Sequence, residues 1–383
     1  CRIGTQLACA EMIRSGVTCF ADMYYFEHDV AQAVADVGMR ALCSQSVLKF
    51  PTPDAPSLED GLLRARKFIE HWHGHSLILP SVGPHAPYTS TREMLKACTS
   101  LALEYDVPIH IHIAETAKEV EENRSEHSMP VVPWVKKQGL FDAKVLAAHC
   151  VHLDSGEIST LQHYRAGVAH CPTSNLKLAS GIAPITEMLD IGLNVGIGTD
   201  GPASNNDLDM FEETRLAALL AKGATSDPTV VPARQAFAMA TIMGARALHM
   251  SDITGSIEVG KRADLVVLDL DVLHNTPTFQ RDQDSIYSQI VYVSKSSDVS
   301  DVMVNGEWLM QNRQLLTVDE DQLTASATDY AIKIDDFLIE REQSLLSKLV
   351  AIGGMERQES FEIQAKARIT DLQKVIDVLQ QYP

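Results

Sequence analysis

Three short segments place reactive side chains where apolar runs end: HIHIAET (His110 to Thr116), AAHCVH (Ala147 to His152) and IGTDG (Ile197 to Gly201). Each closes a β-branched stretch just before a polar one, so imidazoles and carboxylates fall at the end of a buried strand. Two imidazoles and two carboxylates meeting there suit a divalent metal with an open position, which lowers the pKa of a bound water to ~7. One carboxylate can take a proton from that water, and a second acid can hand one to a leaving group or ring nitrogen. Asp200 and Glu115 suit those two tasks; His112 and His149 are the imidazoles. A lone histidine at a strand end is more often a packing residue, so the reading rests on recurrence at successive strand ends.

Positioning such groups takes strands of the right kind. Candidates are VTCFADM (17 to 23), RALCSQSV (40 to 47), LILPSVGPH (77 to 85), PIHIHIA (108 to 114), VLAAHCV (145 to 151), GVAHCP (167 to 172) and NVGIGTD (194 to 200), with amphipathic helical patterns between them. Near-continuous apolar strands alternating with helices predict a parallel sheet covered by helices. The seven strands are one short of a closed (β/α)8 TIM barrel, and the missing first strand is expected before Cys1. Such barrels keep their chemistry at the carboxyl ends of the strands. Asp22, His85, His112, His149, His170 and Asp200 all close strands, and Glu115 follows three residues after His112. The spacing from His112 to His149 to Asp200 is that of βα units, so the site draws on separate strands.

The 383 residues are 45% hydrophobic and 22% charged, the composition of a soluble globular protein. A net charge of −19 argues against a nucleic-acid or anionic-membrane surface, which needs clustered Lys and Arg. No window has the length and apolarity of a membrane span. The 7 cysteines are scattered without CxxC spacing, as expected of reduced core thiols in a cytoplasmic protein. The chain opens at Cys1 inside a helical pattern, GTQLACAEMIRSG, and is expected to be a fragment.

HIHIAET, AAHCVH, HCPTSNLKLASGIAPI (His170 to Ile185) and GTDGPASNN (Gly198 to Asn206) resemble the amidohydrolase superfamily, as do GPHAPYT (Gly83 to Thr89) and GSIEVGKRADLVVLD (Gly255 to Asp269). Within it they resemble the branch of S-adenosylhomocysteine, methylthioadenosine and related adenosine deaminases, with triazine chlorohydrolases as relatives. The likeness runs from Arg2 to Thr317. It implies that His112 and Asp200 are ligands of one divalent metal, zinc with iron as the alternative, and that Asp200 also accepts the proton of the attacking water. Glu115 would protonate the ring nitrogen beside the amino-bearing carbon, His149 would hydrogen-bond the attacking oxygen, and His85 would contact the purine or ribose. The reaction implied is hydrolytic deamination of a small-molecule nucleoside. Chlorohydrolases of this kind often carry another side chain at the place of Glu115, so its presence favours a deaminase.

One departure concerns the metal. The family's first two ligands are a His-x-His pair on the first barrel strand, which is expected upstream of Cys1; the chain alone is therefore expected to bind metal poorly and can be inactive by itself. HWHGH (His71, His73, His75) precedes a strand, at the opposite end of the barrel, and reads as a solvated helix terminus. Some relatives hold a homocysteine carboxylate with arginines after the second of these strands. Here Gln45 takes that region as a candidate substrate contact, with Lys49 the nearby cation, which tilts the reading toward methylthioadenosine or adenosine.

Other residues read as support. His110 shares the face of His112 by period two but lies deeper; Cys171 is a core residue, Asp22 and His152 are supports of the site, and Ser204 to Asn206 order a loop through side-chain to backbone bonds.

The predicted organisation is a truncated barrel over 1–250, half of a composite β-sandwich over 251–317 with turns at Gly260-Lys261 and Asn305-Gly306, a helical segment over 318–355 stopped by Gly353-Gly354, and a further start over 356–383. There EIQAK (Glu362, Gln364, Lys366) resembles the opening strand of a CYTH triphosphate-tunnel domain, an amphipathic edge strand being the alternative. Three function classes follow: a metal-dependent purine nucleoside deaminase, a chlorohydrolase or other amidohydrolase of a heterocycle, and a non-catalytic barrel serving as an interaction module. A homo-oligomer stays open. A cysteine-ligated zinc deaminase is disfavoured, because no HxE followed by PCxxC occurs.

Overall fold

The computed structural model describes residues 1–277 and 285–351, with side chains as far as residue 341. Seven parallel strands form a curled sheet in sequence order: β1 (Cys19–Tyr24), β2 (Arg40–Val47), β3 (Ile78–Pro84), β4 (Ile109–Ile113), β5 (Val145–His149), β6 (Gly167–His170) and β7 (Asn194–Ile197). The helices among and around them are α1 (Arg2–Arg14), α2 (Glu27–Val37), α3 (Leu58–Trp72), α4 (Arg92–Tyr105), α5 (Ala117–His127), α6 (Val131–Lys137), α7 (Ser155–His163), α8 (Pro172–Lys177), α9 (Ile185–Asp190), α10 (Met210–Thr225), α11 (Ala233–Ala240) and α12 (Ile242–Ala247). Side chains of Ser57, Thr91, Thr116, Asp154 and Asp209 cap α3, α4, α5, α7 and α10 by accepting a first-turn N–H. Each such cap is worth ~1 kcal/mol, enough to fix where a helix starts after a strand end.

Alternation along β4 shows how the sequence sets register. Ile109, Ile111 and Ile113 are fully buried in the apolar layer with Leu95 and Leu101 of α4 and Val131 and Val135 of α6, while His110 and His112 occupy the alternate positions. Burying one such isoleucine is worth roughly 1.5–3 kcal/mol. A one-residue slip would turn all three away from the helices, so the histidines are held on the barrel's inner face. Two glycines let α12 approach the sheet: a Cβ on Gly167 would lie 2.0 Å from the Ala247 carbonyl oxygen, and one on Gly196 would lie 2.9 Å from Gly244 Cα.

A second sheet is antiparallel, with β8 (Leu265–Leu268), β9 (Val299–Val304), β10 (Glu307–Gln311) and β11 (Gln314–Leu315) in the order β11-β10-β9-β8. Asn305 and Gly306, both at positive φ, form the hairpin turn between β9 and β10. Arg40, at the start of β2, ties the two sheets together. Its guanidinium forms a fully buried two-pronged ion pair with Asp264 at 2.8 and 3.0 Å and also donates to the Ser76 carbonyl. Burial opposes ionisation of Asp264, but the Arg40 hydrogen bonds and the Asn305 N–H hold its carboxyl below the usual carboxylate range. Helices α13 (Ser285–Tyr292) and α14 (Glu320–Ala351) complete the described elements. The chain divides into two compact units, Cys1–Ala327 and Thr328–Pro383; both sheets lie in the first, and α14 begins there.

Three sequence expectations change. The run from Ala233 to Met250, ARQAFAMATIMGARALHM, reads in sequence as a single helix but is two, broken at Thr241, where φ is −127° and ψ −102°. Thr241 Oγ1 donates back to the Phe237 carbonyl, ending α11, and the break turns α12 onto β7. Gly260-Lys261 turns without joining two strands, since the antiparallel pairing starts at Leu265. Five of the seven predicted strands also end one to three residues early, and Ala114, His149, Cys150 and Asp200, at or just past such ends, take positive φ. Gly353-Gly354 and the segment with Glu362, Gln364 and Lys366 lie outside the described residues.

All seven cysteines are free thiols. Among the described residues no helix is long and apolar enough to cross a membrane.

Candidate active site

The early strand ends build the site. β5 would continue its alternation past Ala148, but φ of 70° at His149 and 52° at Cys150 breaks period two. The His149 ring consequently lies against that of His112, centroids 5.4 Å apart and planes 20° from parallel. The Asp200 and Glu115 carboxylates both raise the proton affinity of His112, so four side chains from β4, β5 and the ends of β4 and β7 act on one another. The ring of His85, just past β3, lies 4.8 Å from that of His112 with the planes tilted by 42°.

Hydrogen bonds fix the protonation sites. His112 Nδ1 is 2.6 Å from the His85 carbonyl oxygen, an acceptor, so Nδ1 carries the proton and Nε2 keeps its lone pair. Burial first, and the neighbouring His149 second, lower its pKa and keep the ring neutral. His85 is bonded at Nδ1 to Thr89 Oγ1, 3.0 Å away, and burial pulls its pKa down to about 4.

Helix α8, from the segment HCPTSNLK, serves two groups at once. Ser174 Oγ donates to Asp200 Oδ2 at 2.7 Å, and the next residue, Asn175, takes His149 Nδ1 on its Oδ1 at 2.9 Å. The Gly201 N–H donates to the other Asp200 oxygen at 2.7 Å. Glu213 of α10 holds α8 and the Asp200 loop together, accepting from the Thr173 N–H and from Asn205 Nδ2, which also bonds the Thr199 carbonyl. Glu115 Oε1 accepts from Ser180 Oγ at 3.4 Å, and His152 Nε2 bonds the Ser180 carbonyl at 2.6 Å.

Several of these partners differ from the sequence reading. His152, read in sequence as a support for His149, instead braces Ser180, which donates to Glu115. Of Ser204 to Asn206, Asn205 does the ordering. Gln45 is the one candidate not brought to the cluster: it is buried, and its amide nitrogen is bonded to Asp54 Oδ2 and the Ser46 carbonyl, bracing the 52–55 turn. Lys49 is bonded to the Tyr88 carbonyl. Glu27 is fully buried and accepts from the Ser44 N–H; burial pushes its carboxyl up, the charge of the nearby half-buried Asp22 pushes it further, and Asp22 is itself raised by desolvation. His110 bonds Ser44 Oγ deep in the sheet, and burial lowers it to about 3. His170 is buried with neither ring nitrogen bonded among the described residues. His71, His73 and His75 are exposed at the end of α3, as read. Ser174, Asn175, Ser180 and Glu213 were missed, although PTSN was visible as a motif, because their roles exist only across elements.

The donors present are of the kind a divalent ion takes. The free Nε2 of His112 and the Asp200 carboxylate have the nitrogen and oxygen chemistry that zinc takes, and the imidazole tautomer is the one a ligand needs. Among the described residues no group of three or more His, Cys, Asp and Glu is arranged to hold a metal. The described residues thus fit a divalent ion in donor type, with His112 and Asp200 the two groups of that chemistry.

A parallel α/β sheet with imidazoles and carboxylates gathered at its carboxyl ends defines a barrel hydrolase site. The chain belongs to the amidohydrolase family, whose description matches residues 1–309. It is 45% identical over 331 residues to the 5-methylthioadenosine/S-adenosylhomocysteine deaminase of Thermodesulfovibrio yellowstonii, covering 86% of this chain and 74% of that one. The protein of the same name from Moorella thermoacetica is 47% identical over 327 residues, 85% of this chain and 74% of that one. Among solved structures, an adenosine deaminase from Xanthomonas campestris with bound zinc superposes with a TM-score of 0.84 at 38% identity, covering 88% of this chain and 75% of that one. The zinc complex of an atrazine chlorohydrolase from Arthrobacter aurescens superposes at 0.78 with 25% identity, covering 86% and 76%.

Proposed function

We propose that this chain carries the catalytic groups of a hydrolytic deaminase of adenosine-type nucleosides, 5′-methylthioadenosine, S-adenosylhomocysteine or adenosine, giving the inosine analogue and ammonia. The observation that carries the proposal is a carboxyl, Glu115, beside a neutral His112 whose Nε2 is free and an Asp200 held by two donors. Near-half identity to proteins named for this reaction supports the same reading.

His112 and Asp200 would hold a divalent ion, zinc by the neighbour's example, and the ion when bound would acidify water. Asp200, held in place by donors from Ser174 and Gly201, accepts the proton of the attacking water. Glu115 gives a proton to the ring nitrogen beside the amino-bearing carbon, so electrons pushed onto the ring by attack are accepted without a buried anion. His149, aimed by Asn175, hydrogen-bonds the oxygen that adds to that carbon. Asp200 returns the water's proton to the amino group, collapse of the tetrahedral adduct breaks the carbon–nitrogen bond and releases ammonia, and the hydroxyl proton passes back to Glu115 as the carbonyl forms. His85, neutral and half-buried, borders the substrate.

The test is ammonia release from the three nucleosides by the zinc-loaded full-length protein, beside Glu115→Gln. The variant is expected to keep its zinc and lose deamination by about 10²–10⁴-fold. Wild-type turnover in Glu115→Gln sinks the assignment, and chloride release from a chlorinated ring without ammonia release would favour a chlorohydrolase.

A further inference from the structure

We infer that Glu119 is the positioning residue that aims Glu115, by gripping the backbone on which the Glu115 side chain stands. This rests on the deaminase reading, in which Glu115 is the proton donor. β4 ends at Ile113, and Ala114 then takes φ of 51°, a left-handed conformation that is strained for a residue with a Cβ. That bend turns the chain so that Glu115 returns toward His112.

The two oxygens of one carboxylate hold it: Glu119 Oε1 accepts the Ala114 N–H at 3.0 Å, and Oε2 accepts the Glu115 N–H at 2.8 Å. The Ala114 carbonyl accepts from the His152 N–H at 2.9 Å, so the polar groups of the bend are occupied. Glu119 itself is 4% exposed, and its own N–H is fixed by the capping oxygen of Thr116 at 3.1 Å.

The geometry separates this role from ordinary helix capping. Thr116 and Glu119 have the spacing of a capping box, in which the third-position carboxylate bonds the N–H of the capping residue itself. Helix α7 shows that arrangement, with Glu157 Oε2 on the Asp154 N–H. In α5 the carboxylate passes over Thr116 and takes the two preceding N–H groups instead. The exception falls on the helix that follows Glu115. Burial pushes the Glu119 carboxyl up to about 7 against the pull of those N–H groups, and the other charges it meets are Glu115, Tyr88 and the Cys150 thiol.

The experiment uses the zinc-loaded full-length protein for kcat and KM with methylthioadenosine, and the metal-free protein for amide hydrogen exchange over residues 110–120. Glu119→Gln puts an amide nitrogen against one of the two N–H groups. It is expected to lower kcat on the order of 10²-fold with KM within about threefold, and to speed exchange in that segment. Adding Ala114→Gly should restore part of kcat, since glycine takes positive φ without the Cβ penalty. Glu119→Asp, one methylene short, serves if the first variant does not fold, with the same expectations. A folded variant with unchanged kcat, a loss carried by KM, or a kcat loss that Ala114→Gly leaves untouched overturns the assignment. Glu115→Gln is run alongside: if it stays active, the role of Glu115 fails and this one with it. If it is inactive while Glu119→Gln is fully active, only the positioning role fails.

Discussion

His112 and His149 stack face to face, 5.4 Å between centroids, although they sit on neighbouring strands at staggered register, His112 pairing with Ala148 and His149 with Ile113. Paired residues of parallel strands share a face, so regular backbone would send His149 outward with Ile113. The left-handed turn at His149 reverses that, and Asn175 holds the ring where the turn leaves it.

Asn175→Ala is therefore expected to free the His149 ring. The His149 Nδ1 would lose its acceptor inside a site where Asn175 is 1% exposed. kcat for ammonia release should fall by about 10–10²-fold, with zinc content unchanged. Steady-state kinetics with parallel metal analysis check this; unchanged kcat would mean the ring is held by packing alone.

Ser174→Ala removes one of the two donors on Asp200 and leaves Oδ2 free to rotate. Partners of this kind are worth about 10–100-fold in metal affinity. Competitive zinc titration against a chromophoric chelator should show a weakened site, while the melting curve of the metal-free protein barely shifts. Affinity equal to wild type would show that Gly201 alone suffices.

His170 makes the fold acid-sensitive. Burial lowers its pKa to about 4, against about 6.5 in an unfolded chain, so between those values the unfolded state binds more protons. Its contribution to stability is complete above pH ~6.5 and is lost as pH falls toward about 4. His170→Leu should keep stability at pH 7, since no hydrogen bond is removed, and should lose less between pH 7 and 5 than the wild type. Urea melts at both pH values decide it. Glu119 titrates in the opposite sense, its folded-state value near 7 costing stability as pH rises, but that contribution is common to both proteins and cancels in the comparison.

Much was readable locally. β4 is legible because Ile109, Ile111 and Ile113 alternate with His110 and His112, and burial of the isoleucines outweighs any competing register. The strand-then-helix order follows from apolar spacing over a few residues. The family motifs are contiguous strings, so the candidates His112, Glu115, His149 and Asp200 could be named from them.

What the tertiary structure decided is every contact that no local periodicity announces, whether its partners lie near or far in the chain. A positive φ at Ala114, His149 or Asp200 cannot be read from residue type, since none is glycine and each is paid for by partners elsewhere: Glu119, Asn175, and Ser174 with Gly201. Gln45 looked available because nothing near it in sequence announces that Asp54 will claim its amide. The sequence by itself determined which reactive side chains the protein has and that they end parallel strands, because burial and alternation act over a few residues. Which nitrogen of each imidazole is free, and which backbone aims each carboxylate, was settled only by the fold, because a hydrogen bond forms with whatever packing brings within about 3 Å.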